Sequence, residues 1–204
     1  MPEKIVFLIR HGRTQGNEEK RYTGSRTDEE LLPEGIHEAE RLRGRLSGLL
    51  PGTYRVYSGP LRRTRETAEI LFPDTPALVI DRLTEIDFGE FEGKSHRELL
   101  GLQAYQAWLD AGGKMPIPGG EPRERFVRRS YLGFLEALGD ASREEGAVIV
   151  CHGGNIMSIM STLTGEDYYA FLTKNLGGYI VKLETGDGET SVISYDRLDC
   201  GDPD

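Results

Sequence analysis

The chain has 204 residues, of which 37% are hydrophobic and 29% charged, and its formal net charge is -9. This length and balance predict one globular domain with a substantial core. The acidic excess argues against a general nucleic-acid or membrane-surface binder, because both need a dominant basic face. The first residues do not resemble a signal segment, and no apolar run approaches the ~18 residues of a membrane span. We therefore expect a cytoplasmic protein without nucleic-acid or membrane partners.

Cysteine and histidine usage indicates neither a metal centre nor a redox centre. Cys151 and Cys200 have no metal-binding or redox spacing, and the four histidines form no His-Glu-x-x-His pattern. Cys151 ends an apolar run, so we expect it to be buried as a small hydrophobic residue. The sequence predicts chemistry without a metal or cofactor.

The first predicted element is a buried strand over residues 4–10, and polar residues follow it at once. Arg10 and Arg13 can give charge-assisted hydrogen bonds to an oxyanion, and Gly12 allows close approach of the backbone. His11 is a candidate nucleophile or proton carrier. Ligands bind beyond the carboxyl ends of strands in open α/β sheets, so this strand end is a candidate site. Taken alone, it could equally be a surface strand end with an incidental histidine.

The next predicted elements alternate between helix and strand. Apolar residues spaced by three and four predict an amphipathic helix over residues 34–50. A strand over residues 54–57 then leads into a helix that runs to about Phe72. The first turns of this second helix carry Arg62, Arg63 and Arg65. Cations at a helix start oppose the helix dipole, so this placement is unfavourable unless an anion binds there.

The middle of the chain places a carboxylate beyond a third short strand. This strand is predicted over residues 77–80, and Glu85 lies just past its end. A helical pattern over residues 95–111, interrupted at Gly101, precedes a loop rich in proline and glycine. We expect residues 94–121 to form a small cap over the edge of the sheet.

A second histidine follows a second buried strand. A helix over residues 124–138 precedes the most strand-like run, residues 147–151, which His152 and Gly153 follow directly. The order strand, histidine, glycine, helix repeats that of the N-terminal region. The apolar residues expected on the buried side of the 124–138 helix are Phe126, Val127, Tyr131, Leu132, Leu135 and Leu138. Two last strands, joined by a turn with Gly186, Asp187 and Gly188, are predicted over residues 179–183 and 191–195.

In a doubly wound parallel sheet, these strand ends meet at one edge. Two histidines, one carboxylate and several arginines suit phosphoryl transfer, because the arginines would stabilise charge on the phosphoryl oxygens. The same cations disfavour imidazolium, so a neighbouring histidine would stay neutral and able to attack. The residue types therefore predict a phosphoryl-transfer site.

The motifs resemble those of the histidine phosphatase superfamily, in the branch that includes phosphoglycerate mutase. The resemblance extends from residue 4 to about residue 183. Its four ordered blocks are Arg10-His11-Gly12 with Thr14 and Asn17, residues 57–68, residues 83–93, and Cys151-His152-Gly153-Gly154. It implies a single domain over residues 1–204 that is an α/β fold, a three-layer α/β/α sandwich with a mostly parallel central sheet and a small helical cap.

The resemblance also implies roles for the matched residues. His11 would be the nucleophile that becomes phosphohistidine. Glu85 would donate a proton to the leaving oxygen and then act as base towards water. The groups implied to hold the phosphoryl group are Arg10, Arg63, His152, Asn17 and the amide of Gly153. Arg62, where the family often has lysine, is left outside the site.

Three further residues are expected to bind substrate: Thr14, Thr23 and Gly24. The Thr23-Gly24 pair resembles the loop that covers the phosphate in the family. A merely structural role stays open for all three, since loop turns need such residues in any case.

The segment from residue 94 to residue 118 favours a phosphatase over a mutase. It is short and lacks the arginine pair with which mutases of the family hold a substrate carboxylate. Tyr105 and Trp108 suit a partly apolar leaving group. The turn over residues 118–121 resembles that of small phosphatases, of which α-ribazole phosphatase is one, although Pro122 stands where the family often has serine. We expect hydrolysis of a small phosphomonoester, either α-ribazole phosphate or a sugar or other organic phosphate.

Two other functions stay open. A 2,3-bisphosphoglycerate-dependent phosphoglycerate mutase would use the same site and differ only in the acceptor of the phosphoryl group. A non-enzymatic protein that binds a phosphorylated ligand would keep the pocket without turnover. The expected partner is a small phosphorylated substrate, and a homodimer is compatible with the sequence.

Overall fold

A computed structural model describes residues 3–186 and 189–199 of the chain. Six strands in these ranges form one mixed sheet. They are β1 (Glu3–Arg10), β2 (Tyr54–Ser58), β3 (Leu78–Val79), β4 (Gly146–Cys151), β5 (Gly178–Gly186) and β6 (Glu189–Leu198). Their order is β3-β2-β4-β1-β5-β6, with parallel pairing from β3 to β1 and antiparallel pairing of β5 and β6. The expectation of an α/β fold is confirmed.

Seven α-helices lie within the described ranges. They are α1 (Gln15–Glu18), α2 (Pro33–Leu46), α3 (Arg62–Leu71), α4 (His96–Leu99), α5 (Gln103–Asp110), α6 (Arg123–Asp140) and α7 (Gly153–Thr164). Short 3-10 helices are present at Asp81–Leu83, Gly89–Phe91 and Tyr168–Phe171. None of the helices in this part of the chain has the length and apolar character needed to cross a membrane.

Alternate residues of the central strands enter two separate hydrophobic cores, which makes the fold three-layered. Along β1, Val6 and Leu8 pack in the core that contains residues of α6 and α7. Phe7 and Ile9 pack in the core that contains residues of α2 and α3. Because successive side chains of a strand point to opposite faces, this alternation places helices on both sides of the sheet.

A third, smaller cluster lies away from the sheet. Phe91, Leu99, Tyr105 and Ile117 are buried together, with Trp108 packed against them. This cluster holds α4 and α5 on the 3-10 helix that contains Phe91. That these residues act as a cap over the site stays a prediction.

Helix α2 is shorter than predicted. Helix α2 ends at Leu46, four residues before the predicted end, and Leu49 is exposed. The glycines at positions 44 and 48 weaken a helix, and Pro51 disfavours helical geometry at the residue before it.

The prediction for the buried face of α6 was partly wrong. Leu132 and Leu135 are 43% and 36% exposed. The helix instead turns Ser130, Gly133 and Ala137 inward, next to Phe126 and Phe134. A Cβ at position 133 would lie 3.0 Å from the Cβ of Arg82, so the glycine permits a close approach.

Other predictions concern cysteines and the last turn. Cys151 is buried, as expected. Cys200, Asp187 and Gly188 lie outside the described residues.

Candidate active site

The register of two buried strands brings the two histidines together. Strands β1 and β4 are parallel neighbours in which Arg10 pairs with Cys151. The backbone N–H of His11 donates to the carbonyl of Cys151 at 3.0 Å. The imidazole rings of His11 and His152 lie with centroids 5.2 Å apart at an angle of 65°. Both side chains are buried at the carboxyl edge of the sheet.

Hydrogen bonds fix different tautomers for the two rings. The Nδ1 of His11 lies 2.7 Å from the carbonyl oxygen of Gly12, so it carries a proton and leaves Nε2 as the unprotonated nitrogen. The Nε–H of Arg63 donates to Nδ1 of His152 at 3.3 Å, so the proton of His152 is on Nε2. This buried Nε2 has no hydrogen-bond partner among the described residues. One ring thus offers a lone pair and the other offers an N–H donor.

Two arginines border the histidines. Arg63 is fully buried at the start of α3 and donates to the carbonyls of Gly24 and Thr27 at 3.1 and 2.7 Å. A longer bond of 3.4 Å reaches the carbonyl of Thr23. Arg10 donates from Nη1 to the carbonyl of Thr173 at 2.7 Å, and its buried Nε lacks a partner within the described ranges. Arg63 therefore joins the Thr23-Gly24 loop to His152.

Glu85 reaches the same edge by a route that differs from the prediction. Strand β3 has only two residues, and Glu85 follows the 3-10 helix Asp81–Leu83 rather than the strand end itself. Its carboxylate accepts from the amide of Ile86 at 2.9 Å and from the amide of Gly154 at 3.4 Å. A Cβ at position 154 would lie 2.4 Å from the Oε1 of Glu85, so only glycine allows the carboxylate this close to α7.

Burial and charge shift the pKa values of His11, His152 and Glu85. Burial, with the charges of Arg63 and Arg10, holds the pKa of His11 well below its ordinary 6.5. The pKa of His152 is lowered in the same way, chiefly by burial and Arg63. Burial raises the pKa of the Glu85 carboxyl above its ordinary 4.5. The site therefore combines two neutral imidazoles with a carboxyl that keeps its proton to higher pH than usual.

The N-terminal loop is joined to the backbone of His11 by an asparagine that the sequence analysis missed. Asn175 donates from Nδ2 to the carbonyl of His11 at 3.0 Å and to Oδ1 of Asn17 at 2.9 Å. Asn17 in turn accepts from the amide of Thr14 at 3.2 Å. Thr14 is thereby linked to His11 through two asparagines. Asn175 lies in a loop without a recognisable motif, so no sequence signal identified it.

The remaining predicted positions are Gly24 and Gly153. The amide of Gly24 donates to Glu92 at 2.8 Å. Gly153 begins α7, and a Cβ there would lie 3.5 Å from the Nε of Arg10. Arg62 is exposed and pairs with Glu30 at 2.7 Å, outside this cluster.

A second residue that the sequence analysis missed is Arg129. It lies on α6, where its side chain is 20% exposed and donates to the carbonyl of Glu85. It follows the buried Phe126 by three positions, and this helical spacing could have marked it as inward-facing. Across residues 3–186 and 189–199, no three His, Cys, Asp or Glu side chains are grouped so that they could hold a metal ion.

Comparisons with known proteins agree with these motifs. A family model described as "Histidine phosphatase superfamily (branch 1)" matches residues 6–196. Adenosylcobalamin/alpha-ribazole phosphatase of Escherichia coli is 29% identical, over 78% of this chain and 79% of the relative. Phosphoserine phosphatase of Entamoeba histolytica, solved as a mutant in complex with phosphoserine, superposes with a TM-score of 0.77 at 27% identity, over 96% of both chains. Phosphoglycerate mutase of Thermus thermophilus superposes with a TM-score of 0.69 at 33% identity, over 96% of this chain and 98% of that one.

Proposed function

Because this chain belongs to branch 1 of the histidine phosphatase superfamily, we propose that it hydrolyses a small phosphomonoester through a phosphohistidine at His11. The observation that carries this proposal is the pair of buried imidazoles with opposite tautomers, one with a free lone pair and one with a free N–H. A nucleophile and an oxyanion donor are what in-line phosphoryl transfer needs at one place.

In the first step, the Nε2 lone pair of His11 attacks phosphorus and the ester P–O bond breaks. The bond between Nδ1–H and Gly12 keeps the attacking nitrogen unprotonated. The leaving oxygen takes a proton from Glu85, whose raised pKa favours the protonated form. The products are an alcohol and N-phosphohistidine.

In the second step, water attacks the phosphohistidine. The Glu85 carboxylate takes the proton of the water as the N–P bond breaks and its electron pair returns to Nε2. Inorganic phosphate leaves, and Glu85 is protonated again for the next turnover.

Donors around the two histidines would stabilise the transferring group. We assign this role to Arg10, Arg63, the Nε2–H of His152, Asn17 and the Gly153 amide. The unpartnered Nε of Arg10 and Nε2 of His152 support the assignment, because buried donors in proteins are nearly always satisfied. Thr23 and Gly24, held by Arg63, would cover the phosphate, and Thr14 would support Asn17.

The substrate that we favour is an alkyl phosphomonoester. Phosphoserine and 3-phosphoglyceric acid, bound in structures of the Entamoeba histolytica enzyme, are both alkyl phosphates. An alkoxide leaves poorly without a proton, which is the reason for a buried acid such as Glu85. We also propose that residues 94–121 form a cap beside the leaving group, because Tyr22 of the covering loop packs against Tyr105 and Trp108.

A mutase is the second candidate, favoured by the similarity to phosphoglycerate mutase of Thermus thermophilus. An acid-quenched assay separates the two functions. The panel contains phosphoserine, 3-phosphoglycerate and α-ribazole phosphate, and free phosphate and isomerised product are counted in the same tubes. Phosphate release with little isomer supports hydrolysis. Isomerisation stimulated by 2,3-bisphosphoglycerate identifies a mutase.

The same substrates, labelled with ³²P, test for the covalent intermediate. We expect acid-labile label on the wild type and none on His11→Ala, with turnover abolished and the fold retained. Turnover by His11→Ala would show that His11 is not the nucleophile. A wild type that takes no label from any substrate would favour a non-enzymatic phospho-ligand binding protein.

A further inference from the structure

Arg129 lies on α6 beside the segment that carries Glu85, and all five of its N–H groups are used. Nε and Nη2 donate to the two carboxylate oxygens of Glu121, each at 2.8 Å. Nη1 donates to the carbonyls of Arg82 and Thr84 at 2.9 and 2.7 Å. Nη2 also donates to the carbonyl of Glu85 at 2.9 Å. One planar group therefore holds three carbonyls around the expected acid.

Glu121 connects this arrangement to the loop before α6. Its backbone N–H donates to the carbonyl of Asp87 at 2.9 Å. Gly120 packs so closely there that a Cβ would lie 2.6 Å from the same carbonyl oxygen. The ion pair of Arg129 and Glu121 thus joins the loop, the helix and the backbone on both sides of Glu85. A bidentate pair with side chains 20% and 12% exposed fixes geometry more firmly than a surface ion pair.

Helix α7 holds the same segment from another direction. The side-chain amide of Asn155 donates to the carbonyl of Thr84 at 3.2 Å and to Oγ of Ser130 at 2.9 Å. The amide of Gly154 reaches the carboxylate of Glu85. The carboxylate is thus held from α7, and the backbone beneath it is held chiefly from α6.

We propose that Arg129, paired with Glu121, is a positioning residue that sets the Glu85 carboxyl at proton-transfer distance from the leaving oxygen. This inference rests on the proposed function. Glu85 follows a 3-10 helix and lies outside the sheet ladder, so the sheet does not fix its position. Arg129 supplies that rigidity without touching the reacting atoms, and a misplacement of about 1 Å can cost about 10²-fold in rate.

The test compares leaving groups. Arg129→Gln and Arg129→Lys are assayed for kcat/KM with phosphoserine, which needs an acid, and with p-nitrophenyl phosphate, whose leaving group departs without a proton. For Arg129→Gln we expect a loss of at least about 10-fold with phosphoserine and under about 3-fold with p-nitrophenyl phosphate. Arg129→Lys keeps the charge but not the planar fork, so it should recover only part of the loss.

Arg125→Gln is the matched control. Arg125 is exposed on the same helix and, within the described ranges, its side chain has no hydrogen bond or ion pair. We expect it to change both rates by less than about 2-fold. Equal losses with both substrates in Arg129→Gln, accompanied by a lower Tm, would mean a structural role and overturn the inference.

A double-mutant cycle separates this inference from the proposed function. In the Glu85→Gln background the acid is gone, so Arg129→Gln should add little further loss with phosphoserine. If Glu85→Gln discriminates between leaving groups and Arg129→Gln does not, only the positioning role is overturned. If Glu85→Gln slows both substrates equally, Glu85 is not the general acid. Both its proposed acid role and this inference are then overturned.

Discussion

At the scale of single residues, the chemistry depends on which nitrogen of each imidazole carries the proton. The carbonyl of Gly12 selects Nδ1–H in His11, and the guanidinium of Arg63 selects Nε2–H in His152. The two histidines are therefore not interchangeable, although both follow a buried strand and precede a glycine. The role of each ring is set by the group that forms a hydrogen bond with its Nδ1.

The raised pKa of Glu85 predicts a pH dependence that varies with the leaving group. As pH rises, Glu85 loses its proton and cannot assist an alkoxide, whereas p-nitrophenolate needs no acid. We expect kcat/KM for phosphoserine to fall on the alkaline side in wild type, and this fall to be absent in Glu85→Gln. The measurement is a pH profile of kcat/KM with both substrates. The same alkaline fall for p-nitrophenyl phosphate would contradict the assignment.

The lowered pKa of His11 predicts a loss of stability in acid. Below pH 6.5, His11 of the unfolded chain binds a proton, whereas His11 of the folded chain stays neutral. The free energy of unfolding therefore falls as pH falls. Each such histidine contributes up to about 1.4 kcal/mol per pH unit. In thermal unfolding between about pH 5 and pH 7, the stability of His11→Asn should depend less steeply on pH than that of the wild type.

Glu85 has the opposite effect on the pH dependence of the free energy of unfolding, because its raised pKa lets the folded chain bind an extra proton in acid. Comparing His11→Asn with wild type cancels that contribution, since Glu85 is present in both. Equal slopes for the two proteins would show that His11 is not held neutral by the fold.

At the scale of elements, the start of α7 meets the Glu85 loop with no room for a side chain. Gly154→Ala would place a methyl group 2.4 Å from the carboxylate and 2.9 Å from the ring of Phe126. We expect a loss of about 1–3 kcal/mol of stability from overpacking, and kcat/KM for phosphoserine should fall more than that for p-nitrophenyl phosphate.

Gly139→Ala in α6 is the control for this substitution, because a Cβ there meets nothing within 4 Å. It should leave both rates unchanged and add about 0.4–1 kcal/mol of stability. If Gly154→Ala keeps the leaving-group dependence of wild type, the close approach of α7 does not set the position of the carboxylate.

Periodicity and strand ends were enough to predict the elements that carry His11, His152 and Arg63. Each lies directly after or soon after a strand whose apolar run is visible in the sequence. Asn175 was not predicted, because its contacts with His11 and Asn17 leave no pattern in the sequence. For Arg129, helical spacing from Phe126 indicates an inward-facing position, but the carbonyls that it binds near Glu85 leave no pattern. The exposure of Leu132 and Leu135 was missed for a related reason, since inward-facing small residues bring α6 close to its neighbours.

At the scale of the whole molecule, two cores on opposite faces of one sheet hold the site at the edge where the parallel strands end. The positive charge there comes from Arg10 and Arg63, and the proposed mechanism needs no metal. We expect dialysis against EDTA to leave kcat/KM within about 2-fold of the untreated value. A loss of activity that a divalent cation restores would contradict metal independence.

The pairing of β1 with β4 also has a kinetic consequence. One strand is among the first residues of the chain and the other lies beyond residue 145, so their contact is strongly non-local. Contacts of this kind close slowly, because the loop entropy must be lost before the pairing contributes. In refolding from denaturant, helix signals should return before the capacity of His11 to take a phosphoryl group. Phosphorylation of this histidine would then report completion of the central sheet.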